Sequence, residues 1–222
     1  FERVEHLFSN RFGVVAQLPV PTQAQIQADR VTFVWALWEE ALREAGELTR
    51  SVLEAIQPHL RGDKRYVYVD SKIQFFKQGY LPVDSRLWHV DGTRTLRGEQ
   101  ARALGYTLLH DLLAKKRDGV EEHYWAYQSS THCATEFLTE PLRLLLPTHI
   151  ASFDPFDAAV QAANAPTVAQ PAASVVHFTD DTIHRAVPAS GEGWRLWLRV
   201  LETDREIKVS NNVVECYGTV FV

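Results

Sequence analysis

The amino-acid pattern predicts an α+β fold, with a helical scaffold over residues 20–60 packed on a β-sandwich or jelly-roll core over residues 65–222, all in one domain spanning 1–222. Three observations lead there. Apolar residues recur at three- and four-residue spacing before Gly62. After Gly62 the period changes to two, with β-branched and aromatic residues dominating. The strand-like runs that follow are short and numerous, and none leads into a glycine-rich phosphate loop, so a dinucleotide-binding or P-loop fold has no support.

The elements follow in order. Pro21-Thr22 opens a helical stretch to about Leu60 in which Ile26, Val31, Val34, Leu37, Trp38, Ala41 and Leu42 form an apolar stripe, with Gly46 as a break. Strands are expected at residues 66–69, 73–76 and 87–90. A helical piece at 99–102 and a strand at 106–109 come next, then strands at 123–128 and 135–138. Residues 155–163 read as a short helix in an insertion and 165–173 as a Pro/Ala-rich linker. Strands at 175–178, 183–187, 194–201 and 213–222 complete the series, with no internal repeat.

Bulk properties narrow the class. A length of 222 residues suffices for a sizeable core, and 45% hydrophobic with 23% charged residues is ordinary for a soluble globular chain. The net charge of -5 argues against duplex nucleic acid, which requires a basic face. The basic clusters Arg61, Lys64, Arg65 and Lys115, Lys116, Arg117 read as solvated loop charges. Two cysteines, Cys133 and Cys216, make no disulfide framework and no zinc-finger spacing, so a reducing compartment is the default. No apolar run has the length of a membrane span and no signal peptide is visible, so a cytoplasmic location without membrane association is expected. The oligomeric state is not written in the pattern.

Chemistry concentrates in two places. In Trp88-His89-Val90-Asp91-Gly92, residues two apart on a strand share a face, so an imidazole and a carboxylate point the same way. Late in the chain, His184 in Ile183-His184-Arg185-Ala186-Val187 offers a third arm, with His177 as the other candidate. Two histidines and one carboxylate form a facial triad that leaves coordination positions open. After a turn through Ser190-Gly191-Glu192-Gly193, Arg195, Trp197 and Arg199 share one face of a strand, and Leu196, Leu198 and Val200 share the other. On a solvent face the arginine stems would simply cover Trp197. Inside a barrel mouth, a buried guanidinium needs an anion, and a carboxylate suits its bidentate fork.

These residues resemble the Fe(II)/2-oxoglutarate-dependent dioxygenase superfamily. The likeness rests on His89-Val90-Asp91-Gly92, on His184, on Arg195 eleven positions later, and on Thr135-Glu136-Phe137-Leu138, and it spans residues 73–201. It implies a double-stranded β-helix, with iron(II) on His89, Asp91 and His184. It also implies that Arg195 pairs with the distal carboxylate of 2-oxoglutarate, with Thr135 assisting, and that Arg199 meets an acidic group of the prime substrate. The implied reaction is O₂-dependent hydroxylation with release of succinate and CO₂. The remaining candidates for the substrate pocket are Gln74, Phe76, Tyr80, His132 and Trp197. The substrate could be a small molecule, an amino acid or a protein side chain. Two other classes stay open: a cupin-like metal enzyme that does not use 2-oxoglutarate, and a non-catalytic jelly-roll binding module.

Overall fold

The computed structural model describes residues 3–91, 118–147, 153–207 and 212–222. The expected helix at 99–102, the strand at 106–109, the Lys115–Arg117 cluster and Gly92 lie outside the described residues.

Antiparallel sheets dominate, with few helices, in an α+β architecture. The strands are β1 (Arg3–Phe8), β2 (Phe12–Gln17), β3 (Val31–Phe33), β4 (Ala36–Leu37), β5 (Tyr66–Phe76), β6 (His123–Gln128) and β7 (Thr135–Leu138). They continue with β8 (Leu142–Pro147), β9 (Thr167–Ala169), β10 (Ser174–Thr179), β11 (His184–Ala186), β12 (Gly193–Thr203) and β13 (Val213–Glu215). The helices are α1 (Gln23–Ala28), α2 (Trp38–Glu44), α3 (Glu47–Ile56) and α4 (Asp154–Ala163). A six-stranded sheet runs β2-β10-β6-β12-β5-β4 and a three-stranded sheet β11-β7-β9, while β1-β8 and β13-β3 form two-stranded ribbons.

The strand alternation sorts the large sheet into two faces. Leu196, Leu198 and Val200 of β12 join Trp125, Tyr127, Val175, Val69 and Ile73 beneath Val52, Leu53 and Ile56 of α3 and Ala41 of α2. The opposite face carries Tyr124, Ala126, Val176, Phe178 and Leu201, and Phe137 of β7 packs onto it. The Phe137 ring lies 5.2 Å from Phe178 and 4.6 Å from Phe12, so the small sheet lies across this second face as an open sandwich.

The helical region differs from its expected course. Between α1 and α2 the chain forms β3 and β4, because Val31-Thr32-Phe33 pairs with β13 and Ala36-Leu37 extends the large sheet beside β5. Val31 and Val34 fit a helical stripe, but β-branched residues satisfy a pleated ladder equally well, and the sheet edges supplied partners. Residues 66–76 form one continuous strand where two were expected. The stretch expected to be a linker at 165–173 contains β9. Strands β1, β2 and β8 were not anticipated.

Helix α3 starts at Gly46 without a side-chain cap of its own. The Asp29 carboxylate takes that role from across the fold, accepting the Thr49 N–H at 2.8 Å and also the Thr49 hydroxyl. A Cβ at residue 46 would sit 1.7 Å from Asp29 Oδ1, so only glycine leaves room for this remote cap. Asp29→Ala or Gly46→Ala should each cost about 1–2 kcal/mol of stability. In urea unfolding this reads as a lower midpoint with an unchanged slope.

Candidate metal centre

Residues 87–90, expected as a strand, form no ladder of their own. Their backbone is held from outside. The Trp88 N–H donates to Asp157 Oδ1 of α4 at 2.8 Å. His89 exchanges both backbone hydrogen bonds with His184, at 3.0 and 2.9 Å. Such an antiparallel pair puts both side chains on one side of the ladder, and the two imidazole centroids lie 4.5 Å apart. The segment before β11 is itself braced by the N-terminal strands: Asn10 Oδ1 accepts the Ile183 N–H at 2.9 Å, and Asp181 accepts the Ser9 N–H at 2.8 Å.

Asp91, two residues beyond His89, projects to the same side. One ligand atom each from His89, Asp91 and His184 lies within 4.8 Å of the others, so the three can hold a metal ion. The tautomers favour it. His89 Nδ1 is 2.9 Å from the Leu87 carbonyl and His184 Nδ1 is 3.0 Å from the Thr182 carbonyl. A carbonyl only accepts, so both Nδ1 atoms carry the proton and both Nε2 lone pairs are free.

Charge states agree. Burial, reinforced by His89, pushes His184 down to about 4, so it is neutral at pH 7. Burial opposes ionisation of Asp91, but the Arg199 guanidinium outweighs it and holds the carboxyl well below the usual range. Arg199 Nη1 donates to Asp91 Oδ2 at 2.6 Å, and its Nη2 reaches Asp70 Oδ2 at 3.4 Å. Trp35, Trp197 and Tyr124 surround the guanidinium at 4.8, 5.2 and 5.7 Å from ring centroids. Arg199, expected at the substrate, is thus engaged with Asp91.

The cluster opens into a cavity of about 240 Å³ between the two sheets. Thr135, Arg195 and Trp197 line it with the three cluster residues, as do Asp70, Lys72 and Gln74 of β5. Arg195 is 2% exposed, and its Nε has no hydrogen-bond partner. Burial depresses its pKa, and no carboxylate among the described residues pairs with it. A buried guanidinium in that condition is costly unless an anion joins it.

Other expected residues lie elsewhere or do other work. Gln74 borders the cavity, but its amide donates to the Pro82 and Thr219 carbonyls at 3.0 and 2.5 Å, tying two loops to β5. Tyr80 packs outside the cavity against Phe76, Cys133 and Ala189. His132 is exposed, with its ring against Gly191. His177 belongs to the opposite face of β10 from Val176 and Phe178, and it stacks on His123 at 5.3 Å, away from the cluster. Asp70 and Lys72 were missed. In Asp70-Ser71-Lys72-Ile73-Gln74 the polar residues alternate, and in register they stand opposite Arg199, Trp197 and Arg195. That period-two pattern was readable.

No family model matches this chain, and no curated protein does. A solved structure of a non-heme monooxygenase, ThoJ in complex with nickel, is 15% identical to it over 89% of this chain and 84% of that one, with a TM-score of 0.29. Similarity at that level assigns neither family nor activity.

Two outcomes follow. Arg199→Met removes the group that orients Asp91 and should weaken cobalt(II) binding about 10- to 100-fold, measured by titration of the metal-free protein. Metal-free protein should also lose stability as pH falls from 7 to 5. Unfolded histidine takes up a proton near 6.5 while His184 resists until about 4, so the unfolded state binds more protons in that window. The expected loss from His184 is about 1–2 kcal/mol, seen as a fall in thermal midpoint between pH 7 and pH 5 that is smaller in metal-free His184→Gln, where buried His177 still contributes its share.

Proposed function

We propose that this chain is an Fe(II)/2-oxoglutarate-dependent oxygenase, with the sandwich serving as a double-stranded β-helix. The observation that carries the reading is the pairing of two features in one cavity. One is a cluster of two free imidazole Nε2 atoms and one ionised carboxylate. The other is a buried Arg195 guanidinium that has no protein anion.

The donor set suits a divalent first-row metal with open coordination positions. His89, Asp91 and His184 would hold iron(II), which supplies O₂ binding and the oxidising step when bound. Arg195 would take the distal carboxylate of 2-oxoglutarate in a bidentate fork, with the Thr135 hydroxyl beside it. The distal carboxylate would supply the anion that Arg195, which lines the cavity, lacks within the protein. Arg199 keeps Asp91 ionised and aimed, and Trp197 and Phe137 form apolar walls that limit water. The overall reaction takes a substrate C–H, O₂ and 2-oxoglutarate to the hydroxylated product, succinate and CO₂. The prime substrate is a small molecule, an amino acid or a protein side chain.

Anaerobic titration of iron(II) with and without 2-oxoglutarate tests this. A weak visible charge-transfer band should appear only with both. Asp91→Ala should abolish iron binding, and Arg195→Met should keep iron while weakening 2-oxoglutarate roughly tenfold or more. Iron binding with no band at saturating 2-oxoglutarate would sink the co-substrate assignment and leave a metal enzyme of the cupin type.

A further inference from the structure

The β5 wall of the cavity holds a cation for which the chemistry so far has no use. Lys72 stands in register opposite Trp197, between Asp70 opposite Arg199 and Gln74 opposite Arg195. It lines the cavity that holds the metal cluster. It is half-buried, and no hydrogen bond or ion pair to it occurs among the described residues. The two carboxylates that influence it do not reach it. Asp70 is engaged by Arg199, and Asp84 is exposed. The Trp197 ring centroid is 6.0 Å from its Nζ, at the outer limit of a cation–π contact.

The charges of the cavity leave the same residue over. Three cations, Lys72, Arg195 and Arg199, face two carboxylates, Asp70 and Asp91. A divalent metal and a dianionic co-substrate cancel each other. Arg199 is shared by Asp91 and Asp70, and Arg195 faces the co-substrate. One positive charge remains, at Lys72. A second cavity, of about 410 Å³, lies beside the first, bounded by Val214, Cys216 and Thr219 of the C-terminal segment, and it is also lined by Asp70 and Lys72. Lys72 therefore stands where the two cavities meet.

We propose that Lys72 is a specificity residue that binds a carboxylate of the prime substrate at the junction of the two cavities, so that the substrate is an acidic molecule or an acidic side chain. A half-buried ammonium is a point charge with three donors, and a single carboxylate satisfies it without the planar geometry a guanidinium demands. With the acid held at Lys72, the rest of the molecule has the second cavity for its bulk and the first for the carbon presented to the metal. The charge balance rests on the 2-oxoglutarate reading; the geometry of Lys72 does not.

The test uses trifluoroacetate as the probe and fluorine NMR as the readout. The full 222-residue chain is loaded with manganese(II) and saturated with 2-oxoglutarate, and a zinc(II)-loaded sample serves as the diamagnetic control. Trifluoroacetate should show metal-dependent line broadening. Lys72→Met should weaken its binding roughly tenfold or more, with manganese affinity unchanged, and Lys72→Arg should retain most of it. No broadening in the wild type, or equal broadening in Lys72→Met, overturns the proposal. So does broadening that is lost in Arg195→Met but kept in Lys72→Met, because the anion would then sit at the co-substrate position. Failure of the 2-oxoglutarate reading shows separately, as the missing visible band. Lys72-dependent broadening without that band would keep the anion site and discard the co-substrate.

Discussion

The centre depends on one backbone contact, the pair of hydrogen bonds between His89 and His184. It joins a segment that has no strand of its own to the first residue of β11, and it determines that two imidazoles face the same way. Everything around it keeps that contact in place. Asp157 of α4 holds the Trp88 amide, while Asn10 and Asp181 tie the chain before His184 to the N-terminal strands. Elements that look peripheral in the sequence, an insertion helix and an N-terminal ribbon, thus position the chemistry.

Electrostatics in the cavity follow from burial. A desolvated carboxylate ionises only beside cations, and Arg199 supplies one at 2.6 Å from Asp91. Arg199 is in turn enclosed by aromatic faces, which stabilise a cation without competing for its donors. Arg195, four residues earlier on the same face of β12, has the burial without the anion. The two arginines have one residue type and one orientation and differ in partners, and that difference is the ground for proposing that one serves the protein and the other a ligand.

The large sheet separates structure from function by its pleat. Leu196, Leu198 and Val200 pack under α2 and α3, while the alternate residues of β12 form the cavity wall. A shift of one residue in the pairing of β12 with β5 would exchange these faces, so the apolar packing under the helices also fixes where Arg195 and Arg199 point.

Much of this was legible in the residues. The period-two pattern in β12 determined which side chains share a face, and the spacing of His89 and Asp91 determined that they project together. A helical course to about Leu60 with a break at Gly46 was legible too, and the helix after that break buries Thr49, Val52, Leu53 and Ile56. Other features depended on contacts between distant segments. Val31 to Leu37 suits a helix and a strand alike, and the edges of β5 and β13 decided between them. His177 and His184 were both candidates, and only the fold sent one to the outer face of β10 and the other to His89. Arg199 and Arg195 are indistinguishable by pattern, and the carboxylates that engage only Arg199, Asp70 and Asp91, arrive from other segments of the chain. The physical reason is that side-chain direction along a strand is local and set by the backbone period. Which partner meets a side chain is set by packing between segments far apart in the chain, and that only the tertiary structure decided.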